Sequence, residues 1–479
     1  MSATPDLPMS DPFAPLGHSI TEEYHYSPRI EGRLPVGLEG TLLRNGPGLF
    51  ERAGRRKRHL LDGDGLLQAF RIAGGKVDYQ ARFVRTEKFK DEERAGHYLY
   101  PTWTTRSAKG MLSNSIGRIR TQAGVSVVAK RGRVFAFDDI GLPYEIDSST
   151  LATIDVYQPG DRSGPQNFNA HTRYDSATGD WLLFGQEHGR RYEIKVLILD
   201  HQLRRKKFFK IAPPHATYLH DWFATEHYVV FNLHALRINP FPGLLGLKAF
   251  TECLHWAPER GNHLMVIDKN TGQVVAQGDA PAAFMWHSMN AYEQGDSIVA
   301  DFVGYDEPDH FIGADPYFER IMRGEPGLFH APGTLRRYRI QLSSGRVEES
   351  IVDGGHFEFP MIDMRRAGRT YRFGYLAEAA QGTGWHDSVA RVDMDTGAKS
   401  RFTFGEGVQV GEPVVVPHAD SDPDTRPQSV WLLSVIFKAD TRTSALAVID
   451  GEHIEDGPIA TVELDHATPL SFHGTWMGA

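Results

Sequence analysis

Four histidines of the chain lie in apolar or small-residue surroundings and are followed by a polar or small residue. They occur in the stretches Phe168-Asn-Ala-His171-Thr, Tyr218-Leu-His220-Asp, Phe284-Met-Trp-His287-Ser and Ser471-Phe-His473-Gly. These surroundings predict imidazoles that point into the protein and need a partner there, and four neutral imidazoles can share one metal ion. Taken singly, a histidine is more often a packed or exposed residue, and His215, His234 and His255 have similar neighbours.

Three acidic residues have surroundings that suit a role behind such a site. Glu358 lies between two phenylalanines, Glu412 precedes a proline and a run of valines, and Asp139 ends a strand-like stretch. A buried carboxylate is unfavourable unless it is paired, and a metal-bound imidazole that donates its other N–H is a suitable partner. The alternative for each is a loop acid or a strand-end cap.

The histidines are dozens of residues apart or more, so they cannot share one helix turn or one hairpin. We therefore expect each to come from a different structural unit around a common axis. Four imidazoles without cysteine favour iron over copper or zinc, because zinc usually forms a closed tetrahedral site whereas ferrous iron accepts further ligands.

Composition narrows the class of protein. The net charge is -9, with basic and acidic residues interspersed, which gives no electrostatic footprint for nucleic acid. The single cysteine, Cys253, excludes a disulfide framework, a cysteine-rich zinc site and an iron-sulfur cluster, and fits the reducing cytoplasm. Because we find neither a Gly-x-Gly-x-x-Gly turn after a strand nor a Walker loop, we expect no nicotinamide or flavin cofactor.

Two segments bear on membranes and on domain boundaries. Residues 1–30 lack an apolar stretch of signal-peptide length and are predicted to be a mobile leader, with residues 31–479 forming one catalytic domain. The stretch from Phe241 to Phe250 is too short to cross a bilayer. It either lies on a membrane surface through Phe241, Leu244, Leu245, Leu247 and Phe250, or packs as an apolar loop on the core.

Strand signals dominate the chain, and the prediction is an all-β fold. Short stretches rich in β-branched and aromatic residues alternate with Gly, Asp, Asn and Pro, and the clearest helix candidate is Asp315 to Arg323. An Asp-x-x-Thr-Gly pattern starts at Asp175, Asp268 and Asp393, where the carboxylate can cap backbone amides and glycine can take a positive φ. So many hairpins need a closed arrangement that protects their edges, which favours a β-propeller over a sandwich or barrel.

The chain resembles the carotenoid cleavage oxygenase family over almost its whole length. The motifs that carry the resemblance occur in family order: Leu43-Arg-Asn-Gly-Pro47, Asp62-Gly-Asp-Gly65, Ala170-His171, Leu219-His-Asp221, His287-Ser-Met-Asn-Ala-Tyr-Glu293, Glu358-Phe-Pro360, Gly411-Glu-Pro413 and Phe472-His-Gly-x-Trp476. The resemblance implies a seven-bladed propeller with the metal on its axis and a cap of loops and short helices over one face. It also implies one Fe(II) per chain, and O2-dependent cleavage of a conjugated C=C bond into two carbonyl products. The ligands would be His171, His220, His287 and His473, three of them backed by carboxylates that include Glu358 and Glu412.

Three positions depart from the family pattern. Asp139 stands where the family usually has Glu, and we expect its shorter side chain to need a water or a backbone shift to reach its histidine. Val125 stands where a Thr near the iron is usual, which keeps a crowding methyl group but no hydroxyl. Asp138 replaces the Lys of stilbene- and isoeugenol-cleaving members, and an acid cannot stabilise a phenolate.

We therefore predict a carotenoid or apocarotenoid substrate, cleaved with O2. Val125, Asp138, Trp222 and Trp286 are candidates to line the substrate tunnel, with core packing as the alternative for at least one tryptophan. The same chemistry on a stilbene or phenylpropene stays open. So do an isomerohydrolase that acts on a retinyl-type ester without consuming O2, and a propeller that binds a partner without metal.

Overall fold

Antiparallel strands of the chain pair into seven sheets, the blades of a β-propeller. The computed structural model describes residues 11–107, 110–161, 166–188, 191–325, 330–380 and 383–478. The β-branched and aromatic residues predicted to form strands do so, because the central strands such as Gly40–Leu49 are buried along nearly their whole length, whereas Lys76–Phe83 buries alternate side chains. The predicted all-β fold is confirmed, and the fold is a seven-bladed propeller.

The strands of each blade are given in their order across the sheet, starting from the strand nearest the axis. Blade 1 consists of His473–Gly478, Gly40–Leu49, Asp64–Ala73, Lys76–Phe83 and Tyr24–Tyr26. Blade 2 consists of Ser126–Lys130, Arg133–Phe137, Tyr144–Ile146 and Thr153–Val156. Blade 3 consists of Arg173–Tyr174, Trp181–His188, Tyr192–Leu199 and Arg205–Ile211. Blade 4 consists of Phe223–Ala224, Tyr228–Leu233, Asn262–Asp268 and Val274–Ala280.

The remaining blades follow the same plan. Blade 5 consists of Phe284–Gln294, Ser297–Tyr305, Thr334–Gln341 and Val347–Asp353. Blade 6 consists of His356–Met361, Phe373–Ala379, Ser388–Asp393 and Lys399–Thr403. In blade 7, Val408–Val410 and Val414–Pro417 both pair with Val430–Lys438, followed by Thr443–Asp450, Pro458–Glu463 and Arg29–Gly32. Two small ribbons pair Leu236–Ile238 with Leu254–Trp256 and Glu51–Arg52 with Arg55–Arg56.

Helical segments are short. The α-helices are Glu87–Ala95, Phe241–Leu244 and Tyr317–Met322, so the predicted helix around Asp315 to Arg323 is confirmed. The 3-10 turns are Ala14–Gly17, Leu60–Asp62, Met111–Asn114, Ile116–Arg118, Thr251–Cys253, Pro258–Arg260, Met364–Arg366 and Ile454–Asp456. Helix Tyr317–Met322 contacts the turns Ala14–Gly17 and Leu60–Asp62, and together they cover one face of the ring. Among the described helices, none is both long and apolar enough to cross a membrane.

The Asp-x-x-Thr-Gly hairpins form as predicted. Asp175 Oδ1 accepts the backbone N–H of Ala177 at 3.0 Å and of Thr178 at 3.2 Å, and Gly179 takes a φ of +75°. The hairpins that start at Asp268 and Asp393 repeat this arrangement. The aspartate carboxylate accepts backbone N–H groups that have no carbonyl partner within the tight turn.

The two ends of the described chain close the ring. Gly40–Leu49 pairs with His473–Gly478, and Arg29–Gly32 pairs with Pro458–Glu463. The prediction of a mobile leader over residues 1–30 is therefore wrong for residues 11–30, because Tyr24–Tyr26 also adds a strand to blade 1 and Leu16 is buried. Residues 1–10 lie outside the described residues.

Candidate metal centre

The four predicted histidines come together on the axis of the ring. His171, His220, His287 and His473 each offer a ring nitrogen, and these four atoms all lie within 4.8 Å of one another. The Nε2 atoms of His171 and His220 are 3.0 Å apart. Residues far apart in the chain thus supply nitrogen donors to one point in space.

Local backbone structure explains how each imidazole reaches that point. His171 and His220 lie just ahead of the short inner strands Arg173–Tyr174 and Phe223–Ala224, and His473 opens the inner strand of blade 1 opposite Asn45. His287 lies inside Phe284–Gln294, where the pairing register shifts between Met285 and Ser288. Such a bulge re-aims a side chain that regular pairing would direct elsewhere.

Three buried carboxylates hold the other ring nitrogen of three of these histidines. Asp139 Oδ2 lies 2.5 Å from His220 Nδ1, Glu412 Oε1 lies 2.8 Å from His473 Nδ1, and Glu358 Oε2 is hydrogen-bonded to His287 Nδ1. A carboxylate accepts from Nδ1–H and so leaves Nε2 as the free donor atom of each imidazole.

Every blade contributes one residue to this arrangement. The histidines His473, His171, His220 and His287 come from blades 1, 3, 4 and 5, and the acids Asp139, Glu358 and Glu412 from blades 2, 6 and 7. Of the water and the backbone shift expected for Asp139, the water is not needed, because the carboxylate contacts His220 directly. The same carboxylate accepts the Tyr218 hydroxyl at 2.6 Å and the Ala170 N–H at 3.2 Å.

His171 is held differently. Its Nδ1 lies 4.0 Å from Asp221 Oδ2, beyond hydrogen-bond distance. Asp221 is itself bound by Arg173 and by the Ser288 N–H at 2.8 Å. The backbone carbonyl of His171 accepts from Trp222 Nε1 at 2.9 Å, so this histidine is positioned through its main chain.

The electrostatics favour a neutral His171 beside ionised carboxylates, whereas Glu358 raises the pKa of His287 against the effect of burial. Burial, together with the other three imidazoles, holds the pKa of His171 well below its ordinary value, so its ring is in the neutral form that binds metals. Burial alone would raise the pKa of Glu358, but His287 and further hydrogen-bond donors bring it down to about 2. Burial likewise opposes ionisation of Asp139, yet His220 and Tyr218 hold its pKa below the ordinary value.

The donor set fits a transition-metal ion. His287 Nε2 is buried and has no hydrogen-bond partner among the described residues, although its ring is held firmly by Glu358. The Nε2 atoms of His171 and His220 are close enough to bind one shared cation. Four imidazole nitrogens without a thiolate or carboxylate ligand suit iron, copper or zinc.

An apolar cavity of about 730 Å³, open solvent at its mouth included, is lined by His220, His287 and His473. The residues that line it include the following side chains from the ring and from the cap: Leu61, Val125, Trp286, Tyr317, Phe318, Ile321, Phe359, Trp385, Leu470 and Phe472. Trp286 is fixed there, because its Nε1 donates to His310 Nε2 at 2.6 Å.

Two of the four tunnel candidates do not line this cavity. Asp138 points away from it and accepts the backbone N–H groups of Gln122 and Asp139, and burial raises its pKa to about 7. Trp222 is fully buried and stacks on Phe231, with ring centroids 5.2 Å apart. The prediction is therefore wrong for Asp138 and Trp222, whereas Val125 and Trp286 lie in the cavity wall.

The apolar segment after blade 4 divides into an exposed part and a packed part. Phe241, Leu244, Leu245 and Leu247 are between 50 % and 73 % exposed. Phe250 instead packs on the ring of Trp103, 5.0 Å between centroids, so its predicted place on the outer surface is wrong.

Four residues of the site were not predicted. Tyr218, Tyr305 and Arg44 each bind one of the three carboxylates, with the Tyr305 hydroxyl 2.9 Å from Glu358 and Arg44 Nη1 2.6 Å from Glu412. Phe359 packs its ring 5.6 Å from His287 and has a φ of +54°, rare for a residue with a side chain. The only local signal was the position of Tyr218 and Phe359 beside residues already selected.

Comparison with known proteins identifies the family. The family model described as retinal pigment epithelial membrane protein (RPE65) matches residues 13–478. The chain belongs to the RPE65/carotenoid oxygenase family. The predicted membership is thus confirmed, and relatives in the family are named as oxygenases and dioxygenases.

Named relatives align over nearly the whole chain. An apocarotenoid-15,15'-oxygenase of Synechocystis sp. is 30% identical over 464 residues, covering 93% of this chain and 92% of the relative. An isoeugenol monooxygenase of Pseudomonas putida is 28% identical and covers 93% of each chain. The crystal structure of cobalt-substituted Synechocystis ACO has a TM-score of 0.91 at 28% identity, over 98% of this chain and 99% of that one.

Proposed function

We propose that this protein is a ferrous-iron oxygenase that cleaves a conjugated C=C bond of an apolar alkene with O2 into two carbonyl products. The observation that carries the proposal is the convergence of four imidazoles, three of which are held by buried carboxylates and line an apolar cavity. The named oxygenase relatives support the same reaction class.

Each residue of the site has a defined part in this proposal. His171, His220, His287 and His473 hold the iron through Nε2, and Asp139, Glu358 and Glu412 keep three of the rings in the tautomer that leaves Nε2 free. Ferrous iron bound there would supply the redox chemistry with O2. Because the alkene provides the electrons, no nicotinamide or flavin is needed.

The cavity walls hold the alkene and exclude water. Trp286 and Phe359 present aromatic surfaces beside the histidines, and Val125 adds a methyl-rich contact without a hydroxyl. An apolar alkene gains hydrophobic free energy on entering such a space. Among the residues lining this cavity there is no lysine or arginine to stabilise a phenolate, and Glu358 is an acid that cannot do so.

We therefore propose an apocarotenoid or carotenoid as substrate, with a phenylpropene or stilbene as the alternative. The apolar lining and the orientation of Asp138 support the first class, as does the similarity to an apocarotenoid oxygenase. The similarity to an isoeugenol monooxygenase supports the second class.

The test is O2 consumption by purified protein loaded with Fe(II), without NAD(P)H. Apocarotenals, carotenoids, stilbenes and phenylpropenes are supplied in turn, and the carbonyl fragments are identified by mass. We expect consumption to match product, and His287→Ala to lose both iron and activity while the exposed His255→Ala retains them. A strict need for a reductase would overturn the proposal, and product formation without O2 would indicate an isomerohydrolase.

We further propose that this cytoplasmic enzyme docks on a membrane surface to collect its substrate. The exposed Phe241, Leu244, Leu245 and Leu247 form an apolar patch that is continued by Met111, since Gly246 packs directly on the Met111 backbone. Contiguous apolar side chains of this kind are unusual on a surface without a partner.

Vesicle sedimentation tests the docking. Binding of the wild-type protein to phosphatidylcholine and phosphatidylglycerol vesicles should fall at least tenfold in Leu244→Asp/Leu245→Asp. Val36→Asp, which changes an exposed apolar residue far from the patch in the chain, serves as the control. Equal binding of all three proteins would reject the docking proposal and leave the oxygenase proposal intact.

A further inference from the structure

Two polar atoms in the cavity wall have no partner. Gln409 and His386 both line the cavity that contains His287 and His473, and they are only 3 % and 7 % exposed. Gln409 Oε1 and His386 Nε2 are buried and make no hydrogen bond with any described residue. Buried polar atoms are almost always hydrogen-bonded, so this pair within an otherwise apolar wall points to a bound polar group.

The backbone fixes how these two side chains are presented. Gln409 Nε2 donates to the carbonyl of Val410 at 2.8 Å, which commits one amide hydrogen and leaves Oε1 as a buried acceptor without a partner among the described residues. The Val410 N–H donates to the carbonyl of His386 at 2.7 Å and ties the two segments together. The pair therefore belongs to a preformed part of the wall between blades 6 and 7.

The pair is close to the metal centre. The ring of Phe359 lies 6.2 Å from that of His386 and 5.6 Å from that of His287, centroid to centroid. One aromatic ring thus separates His386 from the nearest metal-facing imidazole.

Gln409 Oε1 and His386 Nε2 together determine which kind of polar group can bind between them. Gln409 Oε1 can only accept, so its partner must carry a hydrogen, which excludes carbonyl and ether oxygens. Burial lowers the pKa of His386 to about 4, so its ring is neutral and can donate from Nε2 or accept there. A hydroxyl satisfies both, because it donates to Gln409 and can accept from His386. A charged ammonium would be unfavourable in so apolar a space.

We propose that Gln409 and His386 bind a hydroxyl group of the substrate and thereby select a hydroxylated conjugated alkene. The inference rests on the proposed function for its reaction, and it narrows the substrate class of that same cavity. It also assigns the orientation of the substrate, with the hydroxylated end between blades 6 and 7 and the double bond beside the four histidines.

The experiment compares alkene pairs that differ in one hydroxyl. A hydroxyphenyl propene and a hydroxylated apocarotenoid are each paired with their methyl ether. Binding to the iron-loaded protein is followed through quenching of tryptophan fluorescence, since Trp286 and Trp385 line the cavity, and kcat/KM is measured where turnover occurs. Gln409→Leu and His386→Phe are compared with Leu470→Met, which reshapes the same cavity without removing a polar atom.

We expect the wild-type protein to prefer at least one hydroxylated alkene over its ether by about 10- to 100-fold. Gln409→Leu and His386→Phe should abolish that preference by weakening only the hydroxylated partner, and Leu470→Met should change both partners alike. The inference would be overturned if the wild-type protein bound each hydroxylated alkene and its methyl ether equally well. It would also be overturned if both variants lost the same affinity for the hydroxylated alkene as for the ether. Because binding is read separately from turnover, a protein that binds alcohols selectively but cleaves none would reject the proposed function alone.

Discussion

The Nδ1 atoms of three histidines are held by carboxylates that are themselves held by a second side chain. Asp139 has Tyr218, Glu358 has Tyr305 and Glu412 has Arg44. A carboxylate fixed at both oxygens keeps the imidazole ring at one angle, which is what a metal ligand requires. Two tyrosines and one arginine thus lie behind the three acids and hold them in place.

Removal of the Asp139 carboxylate should weaken metal binding. We expect Asp139→Asn to lower iron affinity by about 10- to 100-fold, because an amide cannot hold His220 Nδ1–H and the Tyr218 hydroxyl as a carboxylate does. Chelator competition followed by metal analysis gives the affinity. The neighbouring Asp138→Asn is the control, since Asp138 binds backbone amides rather than a histidine. Equal losses in both variants would contradict this role for Asp139.

Arg44 should matter for stability far more than an exposed arginine. It is fully buried, and its loss in Arg44→Met leaves the Glu412 carboxylate without its cationic partner. The free energy of unfolding should fall by about 3–5 kcal/mol, measured by urea denaturation. Arg94→Met, which breaks an exposed pair with Asp91 at 3.4 Å, should cost less than about 1 kcal/mol. Similar costs for the two variants would show that Glu412 does not depend on Arg44.

Local sequence could reveal the histidines and acids but not their supporting partners. His287 and Glu358 are polar residues inside apolar stretches, and that contrast is visible in a few neighbouring residues. Arg44 meets Glu412 from the opposite part of the chain, and no local pattern marks it as a partner. Asp138 was misplaced because the direct chain neighbour of a site residue faces the other way, as alternation along extended backbone dictates. Trp222 was misplaced because it packs in the core on Phe231.

At the scale of elements, the hairpins were predictable because their chemistry is local. An aspartate, a threonine and a glycine at fixed spacing are enough to define the turn at Asp393, and the structure repeats that turn between strands of other blades. The bulge at His287 and the positive φ of Phe359 were not predicted, since no local residue pattern marks either feature.

Two hairpin glycines allow the cost of a positive φ to be measured separately from the cost of a steric clash. Gly397 has a φ of +74°, and an added Cβ would have no other atom within 4 Å, so Gly397→Ala should cost only about 1 kcal/mol of backbone strain. Gly272 has a φ of +71°, and an added Cβ would lie 2.7 Å from the Phe209 Cβ. Gly272→Ala should therefore cost about 1–3 kcal/mol more. Urea denaturation measures both, and equal costs would mean that the Phe209 contact relaxes freely.

At the scale of the whole molecule, the ring of blades buries several histidines away from the metal centre. Burial lowers the pKa of His59 to about 4 and that of His234 to about 3. Asp138 works in the opposite direction, because burial raises its pKa to about 7. On acidification the two histidines lower the free energy of unfolding by more than Asp138 raises it.

We expect the protein to lose stability as the pH falls from about 6.5 to 4. Between these pH values His59 and His234 become protonated in the unfolded chain but stay neutral in the folded protein. Unfolding therefore becomes more favourable, by roughly 3 kcal/mol for each histidine. His234→Phe should flatten the pH dependence of the unfolding free energy by about one proton. Urea denaturation between pH 7 and 4.5 tests this, and an unchanged slope in the variant would contradict it.

The even distribution of the site over the ring has a consequence for how the protein matures. Blades 3, 4 and 5 supply His171, His220 and His287 early in synthesis, but His473 follows only after blades 6 and 7. The strand His473–Gly478 must then pair with Gly40–Leu49, which is made much earlier. The complete set of four nitrogen donors therefore requires that His473–Gly478 has paired with Gly40–Leu49, so the full metal site forms only when the ring is closed.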